Sequence, residues 1–323
     1  MKAQPLKKNT PLMAGAAALM LLALVQGAAA QEAQPECAVR IGGGPNGGVY
    51  ELLVKDIQAV CGSTVPVCAV PSHGGLQNLM KLSSSEADVG FAQIDTLQEM
   101  SRGGDENVKD LQAVMPLHSN LLHILTLRNG SQFGGWKGIG GETKILRRFS
   151  ELKGVKVAVV SSALLVGQKL NNQLGYGMEL FEAANDDEAV DMLRSNKVQA
   201  IFTTGGWPYP GIARHLASSN LMLADFDLPV QPPFAIARRS YQNLGAYNVS
   251  FLAAPNLLLT RPFKPNGEMG KKVAALQKCL ISKLDVLQEG RFHAAWKEVK
   301  TPYDTLGISR FAGDGQKTVA AKQ

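Results

Sequence analysis

Along most of the chain the apolar positions switch between two periods, and each switch marks an element. Residues 37–42 (CAVRIG) are a short β-branched run ending in glycines, the signature of a strand. Leu53, Val54, Ile57 and Val60 then recur with the spacing of one helix face, which predicts a helix over 50–60. A strand at 65–70 closes at Pro71, a helix fits 75–82, and ADVGFAQ predicts a third strand at 87–93. A short helix at 96–100 and strands at 111–117 and 121–127 follow. Residues 129–150, with GGWKGIGG at their centre, lose all period and predict a surface loop with room for a short hairpin.

A second series begins with a strand at 155–160, then a helix at 164–174, a strand at 179–183, a helix at 187–194 and a strand at 198–203. Asn185 or Asp186 can cap the 187–194 helix, and Glu188 places negative charge in its first turn. LMKLSSSEADVGFAQ (79–93) and DMLRSNKVQAIFTTG (191–205) both read as helix, polar turn and strand, a coarse internal echo. After the prolines around 229–233, an apolar and β-branched run at 248–260 and a helix at 270–288 suggest a return to the first domain; 313–323 reads as a frayed tail. Strands alternating with helices predict an α/β fold of mostly parallel sheet flanked by helices.

The first thirty residues change the picture, because they read as an address. Lys2, Lys7 and Lys8 precede an uncharged apolar run at 12–25, and Ala28-Ala29-Ala30 ends in a small-x-small cleavage pattern. A signal peptide over 1–30, cleaved near Ala30 before Gln31, and a soluble periplasmic product are expected. The apolar run falls short of the ~20 residues of a spanning helix. AQPE ahead of Cys37 is too polar for a lipoprotein site. Loss of the three lysines takes the formal charge from +6 to +3, with no basic cluster, so nucleic acid is not an expected partner. Export makes the four cysteines, Cys37, Cys61, Cys68 and Cys279, candidates for two disulfides in any of three pairings. A metal site is not expected, since no histidine stands at ligand spacing from them.

IGGGPNGGVY at 41–50 contains the G-x-G-x-x-G of dinucleotide loops in Gly42, Gly44 and Gly47. Such a site needs an acidic residue about 20 positions on, and none occurs between Asp56 and Glu86. A phosphate loop is excluded for want of a Gly-Lys-Ser/Thr ending. What remains is a strand-to-helix turn whose bare amides favour an anion such as a carboxylate. No G-x-S-x-G elbow or H-E-x-x-H helix is present, and His73, His118, His123, His215 and His293 are scattered, so neither catalytic residues nor a cofactor are expected. Open α/β sheets bind ligands beyond the carboxyl ends of their strands. The polar residues at those ends are Asn46, Gly47 and Gly48; Ser72, His73 and Gly74 with Asn78; Gln93 and Asp95; Ser161 and Ser162; and Thr203, Thr204, Gly205, Gly206 and Trp207.

These blocks resemble the TAXI class of TRAP-transporter periplasmic solute-binding proteins over about 38–290. IGGGPNGGVYELLVKDI is similar to that family's opening strand, loop and helix. SHGGLQNLMKLSSSEADVGFAQID, ELKGVKVAV and VQAIFTTGGWPYPGI are similar to later blocks. The resemblance implies a two-lobed, type II periplasmic binding protein, each lobe a mostly parallel sheet flanked by helices. It implies a small carboxylate ligand, such as a glutamate-like amino acid or a 2-oxoacid, and delivery to a TRAP-type membrane permease. On the family pattern Gly47, Gly48, Val49, Tyr50, Asn78, Gln93 and Asp95 occupy first-lobe pocket positions, and Gly206 and Pro208 second-lobe ones; Tyr50 and Trp207 could wall the ligand. The chain departs from the family's Gly-Ser-Gly-Thr loop with VSSALLVG at 160–167, which leaves Ser161 and Ser162 as donors. The expected parts are a first lobe over 31–120, a second over 121–248, and a return to the first over 249–323, with hinges near 117–127 and 229–251. A monomeric receptor is expected rather than an enzyme; a ligand sensor for a membrane signalling partner, or an exported enzyme, are the competing roles.

Overall fold

The computed structural model describes residues 37–134, 140–218, 220–242, 245–300, 305 and 307–312. The expected signal peptide and its cleavage point, residues 135–139 of the glycine-rich loop and the 313–323 tail lie outside the described residues.

The first half of the sheet is built as the periodicity dictates. β1 (Val39–Gly42) lies between β2 (Val67–Val70) and β3 (Val89–Gln93), parallel to both, with Val39 opposite Val67 and Ile41 opposite Val89. Every residue of β3 is buried, which is why it reads as a continuous apolar run rather than an alternation. α1 (Val49–Cys61) presses Leu53, Val54 and Ile57 onto the sheet, each essentially fully buried and worth about 2 kcal/mol. α2 (Gly75–Ser83) and α3 (Ile94–Arg102) cover the opposite face, where Leu79, Leu82, Ala92 and Leu97 form a separate cluster with Leu257 and Leu259. A one-turn helix, α4 (Glu106–Lys109), capped by the Asp105 carboxylate, leads out of this half.

The two strands expected at 111–117 and 121–127 are one strand, β4 (Gln112–Leu127). The polar His118, Ser119 and Asn120 interrupt its apolar pattern without breaking its ladder. β4 runs antiparallel to β12 (Ala246–Thr260) from Gln112 opposite Thr260 to Leu122 opposite Leu252. β12 also pairs with β3, with Leu258 opposite Phe91, and the far end of β4 pairs with β9 (Ala200–Gly205), with Ile124 opposite Phe202. β7 (Lys156–Val160) and β8 (Glu179–Ala183) complete the order β2-β1-β3-β12-β4-β9-β7-β8. The chain therefore forms two βαβ units around one pair of long shared strands. α5 (Ala163–Leu174) and α6 (Asp186–Arg194) flank the second unit, α6 capped by the Asn185 side chain on Glu188 N–H. The echoed segments 79–93 and 191–205 are α2 with β3 and α6 with β9. These stand in matching positions, each ending on the strand that pairs with a long one.

In the glycine-rich stretch a small hairpin forms, β5 (Ser131–Phe133) on β6 (Glu142–Lys144). Three elements carry no clear sequence signal: α7 (Pro210–Ser218), β10 (Leu221–Leu223) and β11 (Ala235–Tyr241), the last two added to the edges of β4 and β12. The helix predicted over 270–288 is two, α8 (Glu268–Ser282) and the short α9 (Leu284–Leu287). Behind it His293 N–H and Trp296 Nε1–H both donate to Asp56 of α1. Among the described residues no helix is long and apolar enough to cross a membrane.

Of the three possible cysteine pairings the structure contains Cys37–Cys68, which ties the start of β1 to β2, and Cys61–Cys279, which ties the end of α1 to α8. The second spans 218 positions against 31 for the first, so its removal frees much more chain in the unfolded state. In the chain-entropy treatment the two are worth about 5 and about 4 kcal/mol. The double replacement Cys61→Ser/Cys279→Ser is expected to lower unfolding stability more than Cys37→Ser/Cys68→Ser, read from urea midpoints. The reverse order would show that α8 is held by its packing alone.

Candidate functional site

Three helices begin at one point. α1 has Gly48 as its N-cap, α2 has Gly74 and α5 has Ser162, and no side chain caps any of the three. α4 and α6 are capped by the Asp105 and Asn185 side chains, whereas α3, α8 and α9 also start without a side-chain cap. An uncapped start leaves amide N–H groups without partners, and the aligned peptide dipoles place about half a positive charge there. Glycine is required at two of these turns. Gly74 has φ +115°, and a Cβ on Gly48 would stand 2.9 Å from the Pro45 carbonyl oxygen. The acidic residue of the first α1 turn, Glu51, turns away from the opening to pair with Lys55 and to accept from Gly47 N–H.

The three starts open on a narrow cavity of about 50 Å3 between the two βαβ units. From the first unit Pro45, Gly48, Val49 and Tyr50 line it, with His73, Gly74 and Gly75. The second unit supplies Val160, Ser161 and Ser162, then Thr203, Thr204, Gly205, Gly206 and Tyr209; Asn120 of β4 closes the floor. The walls are close together: a Cβ on Gly74 would lie 3.1 Å from Ser161 Oγ, and one on Gly75 3.4 Å from Ser162 Oγ. Lys169 of α5 and Glu99 of α3 form a 3.3 Å ion pair between the same two units, so the structure is that of a closed cleft.

Below the cavity lies a buried polar network. Tyr50 OH donates to Asn256 Oδ1 at 2.5 Å and accepts from Asn120 Nδ2 at 2.8 Å, while the ring stacks on Phe91. His118 Nε2 lies 3.1 Å from Asn120 Oδ1 and 3.3 Å from Asn256 Nδ2. Burial drives the His118 imidazole down to about 4 and holds the Tyr50 phenol well above its ordinary value, so both are neutral at physiological pH. A second chain braces the far wall. Tyr209 N–H donates to Tyr241 OH, which lies 2.9 Å from His123 Nε2, and burial pushes His123 down to about 3. Asp186 has both oxygens occupied, by Thr203 Oγ1 at 2.8 Å and Tyr209 OH at 2.6 Å. Among the described residues no Asp, Glu, Lys or Arg side chain lines the cavity, and His73 at its rim is exposed. Among the described residues no cluster of His, Cys, Asp or Glu could hold a metal ion.

The structure thus gathers Gly48, Val49, Tyr50, His73, Ser161, Ser162, Thr204, Gly205 and Gly206 of the sequence-predicted set around one cavity. It leaves others aside. Asn46 and Gly47 are exposed on the outer side of the loop. Ser72 donates to the Gly43 carbonyl and Asn78 donates to both Gly43 O and Phe91 O, so these two shape the glycine turn from behind. Trp207 packs under Arg239 and lines a separate surface hollow, with Pro208 beside it. Gln93 and Asp95 are buried beside the network and do not reach the lining. Sequence reasoning missed Asn120 and Tyr209 as lining residues. A polar residue inside the apolar run 111–127 was the available signal for Asn120; nothing local marked Tyr209.

Asp95 carries a testable consequence. Burial raises its carboxyl from 3.8 to about 6 despite amide donors from its own and the Thr96 backbone, and one oxygen has no hydrogen-bond partner. A raised pKa in the folded state means that the folded chain holds this proton more tightly than the unfolded one. The associated stability is full below about pH 4 and is lost as pH rises through about 6; at about 1.4 kcal/mol per unit it amounts to roughly 2–3 kcal/mol. Asp95→Asn is expected to flatten the fall in stability between about pH 4 and 6, measured by urea unfolding across that range. An unchanged slope would assign the titration to another group.

No curated protein matches the chain. Among solved structures, one described as a periplasmic transporter superposes with TM-score 0.50 at 13% identity, covering 83% of this chain and 89% of its own. An L-arginine-bound substrate-binding protein of an amino acid ABC transporter from Streptococcus pneumoniae superposes with TM-score 0.47 at 14% identity, covering 80% and 92%. These likenesses concern the fold, which is that of the type II periplasmic binding proteins. The NMT1-like family matches residues 41–301, from the glycine turn through both units and back to the C-terminal segment, and the chain belongs to that family.

Proposed function

We propose that the chain is an exported solute receptor that closes on a small carboxylate between its two lobes and hands it to a TRAP-type membrane permease. The observation that carries the reading is the convergence of three uncapped helix starts from both βαβ units on one enclosed cavity. Bare amides and aligned dipoles bind an oxyanion without any charged side chain. A site made from two units linked by shared strands is also the arrangement in which a ligand stabilises closure, because the closed form alone offers it both walls. The disulfides fit an oxidising compartment. The TRAP partner and the TAXI class rest on the sequence blocks at 41–57, 72–95, 151–159 and 198–212. Such a receptor needs no cofactor and no catalytic group, and it works as a monomer.

A thermal-shift panel of mono- and dicarboxylates, amino acids and neutral polyols tests the anion. A carboxylate present at 100 times its dissociation constant adds about 2.7 kcal/mol of stability. Stabilisation by neutral or cationic compounds alone overturns the reading. Gly75→Ala, whose Cβ enters the gap 3.4 Å from Ser162 Oγ and makes only ordinary contact with Ala92, is expected to weaken carboxylate binding about tenfold, about 1.4 kcal/mol, while the unliganded melt stays nearly unchanged. Uptake of the bound carboxylate by cells carrying the permease, with and without this chain, tests delivery.

A further inference from the structure

We infer that the ligand is a small monocarboxylate whose second polar group is an uncharged oxygen, and that zwitterionic amino acids are excluded; this rests on the carboxylate reading of the cavity. The anionic end has a built receptor. Ser162 is only 3% exposed, its hydroxyl makes no hydrogen bond to the described residues, and its Oγ lines the cavity at the start of α2, 3.4 Å from where a Gly75 Cβ would stand. A hydroxyl that opens on the cavity with no protein partner is free to donate to a ligand oxygen. Ser161 Oγ and the amides opening α1, α2 and α5 surround the same space.

The opposite end is neutral. Asn120 spends one Nδ2 hydrogen on Tyr50 OH and keeps the second, and the Tyr50 phenol stays protonated. The free amide hydrogen suits a keto or hydroxyl oxygen, while the phenolic oxygen, its proton spent on Asn256, can accept only from a hydroxyl. An ammonium needs several acceptors or a counter-charge, and each neighbouring carboxylate is either committed or away from the lining. Asp186 is saturated by Thr203 and Tyr209 and sits in the first turn of α6, whose dipole offsets its charge. Glu51 faces Lys55 and Gly47, and Asp95 does not reach the lining. An ammonium would instead meet three positive helix ends. A second carboxylate would be desolvated against a neutral floor, and about 50 Å3 leaves space for only a few carbons.

Pyruvate and L-alanine decide the matter, since they share a carbon skeleton and a carboxylate and differ in a keto oxygen against an ammonium. Isothermal titration of the purified protein with pyruvate, L-lactate, L-alanine and L-glutamate is expected to show pyruvate or L-lactate binding at least about tenfold tighter than either amino acid. Ser162→Ala is expected to weaken that acid by about tenfold with no loss in the unliganded melt. Equal or tighter binding of L-alanine or L-glutamate overturns the inference and leaves the carboxylate reading standing. No heat from any of the four overturns the inference, and silence from the wider carboxylate panel as well removes the reading beneath it.

Discussion

The antiparallel ladder between β4 and β12 is the constraint on which everything else hangs. Each strand is long enough to serve both βαβ units, and together they carry the sheet's hydrogen bonds from one unit into the other. β3 attaches to the far end of β12 and β9 to the far end of β4, so each unit presents the carboxyl ends of its parallel strands to the same gap. Along the ladder the register shifts between Pro255 and Leu257, beside His118, Asn120 and Asn256. Pro255 cannot donate to the ladder, and polar side chains fill the interruption.

That interruption has a chemical consequence. Buried polar groups must find partners, and here they find them in Tyr50 of α1, which locks the first helix start to the crossing strands. The site is therefore positioned by neutral hydrogen bonds from the middle of the sheet. The partial positive charge at its opening comes from backbone dipoles, which cannot titrate. Of the ionisable groups behind it, His118 and His123 are neutralised by burial and Asp186 is saturated.

Much of the fold was legible because its strongest signals are local. Buried parallel strands read as short apolar runs, and the helices that cover them show one apolar face, so α1, α2, α5, α6 and strands β1, β3, β7, β8 and β12 fall within a few residues of their predicted places. Elements at the margins did not. β11 carries Arg238 and Arg239 in a half-exposed edge strand, and α7 begins at Pro210 after a segment read as strand end and turn. The continuity of β4 was hidden because His118, Ser119 and Asn120 look like a loop unless their partners Glu298, Tyr50 and Asn256 are known.

Sequence alone determined that glycine turns follow strands, that polar groups gather at strand ends, and that the 41–50 turn lacks the acidic partner of a dinucleotide site. These are properties of a residue and its near neighbours, and backbone sterics fix them wherever the chain goes. Which of those polar groups face one another was decided only by tertiary structure. Ser72 and Asn78 sit at a strand end like Ser161 and Ser162, yet the first pair braces a loop and the second lines the cavity. Ser72 and Asn78 turn to the Gly43 carbonyl, while Ser161 and Ser162 meet the gap that forms once β4 and β12 bring the two units together. The same pairing set which cysteines met, since Cys61 and Cys279 are distant along the chain and become neighbours only when α8 returns to α1.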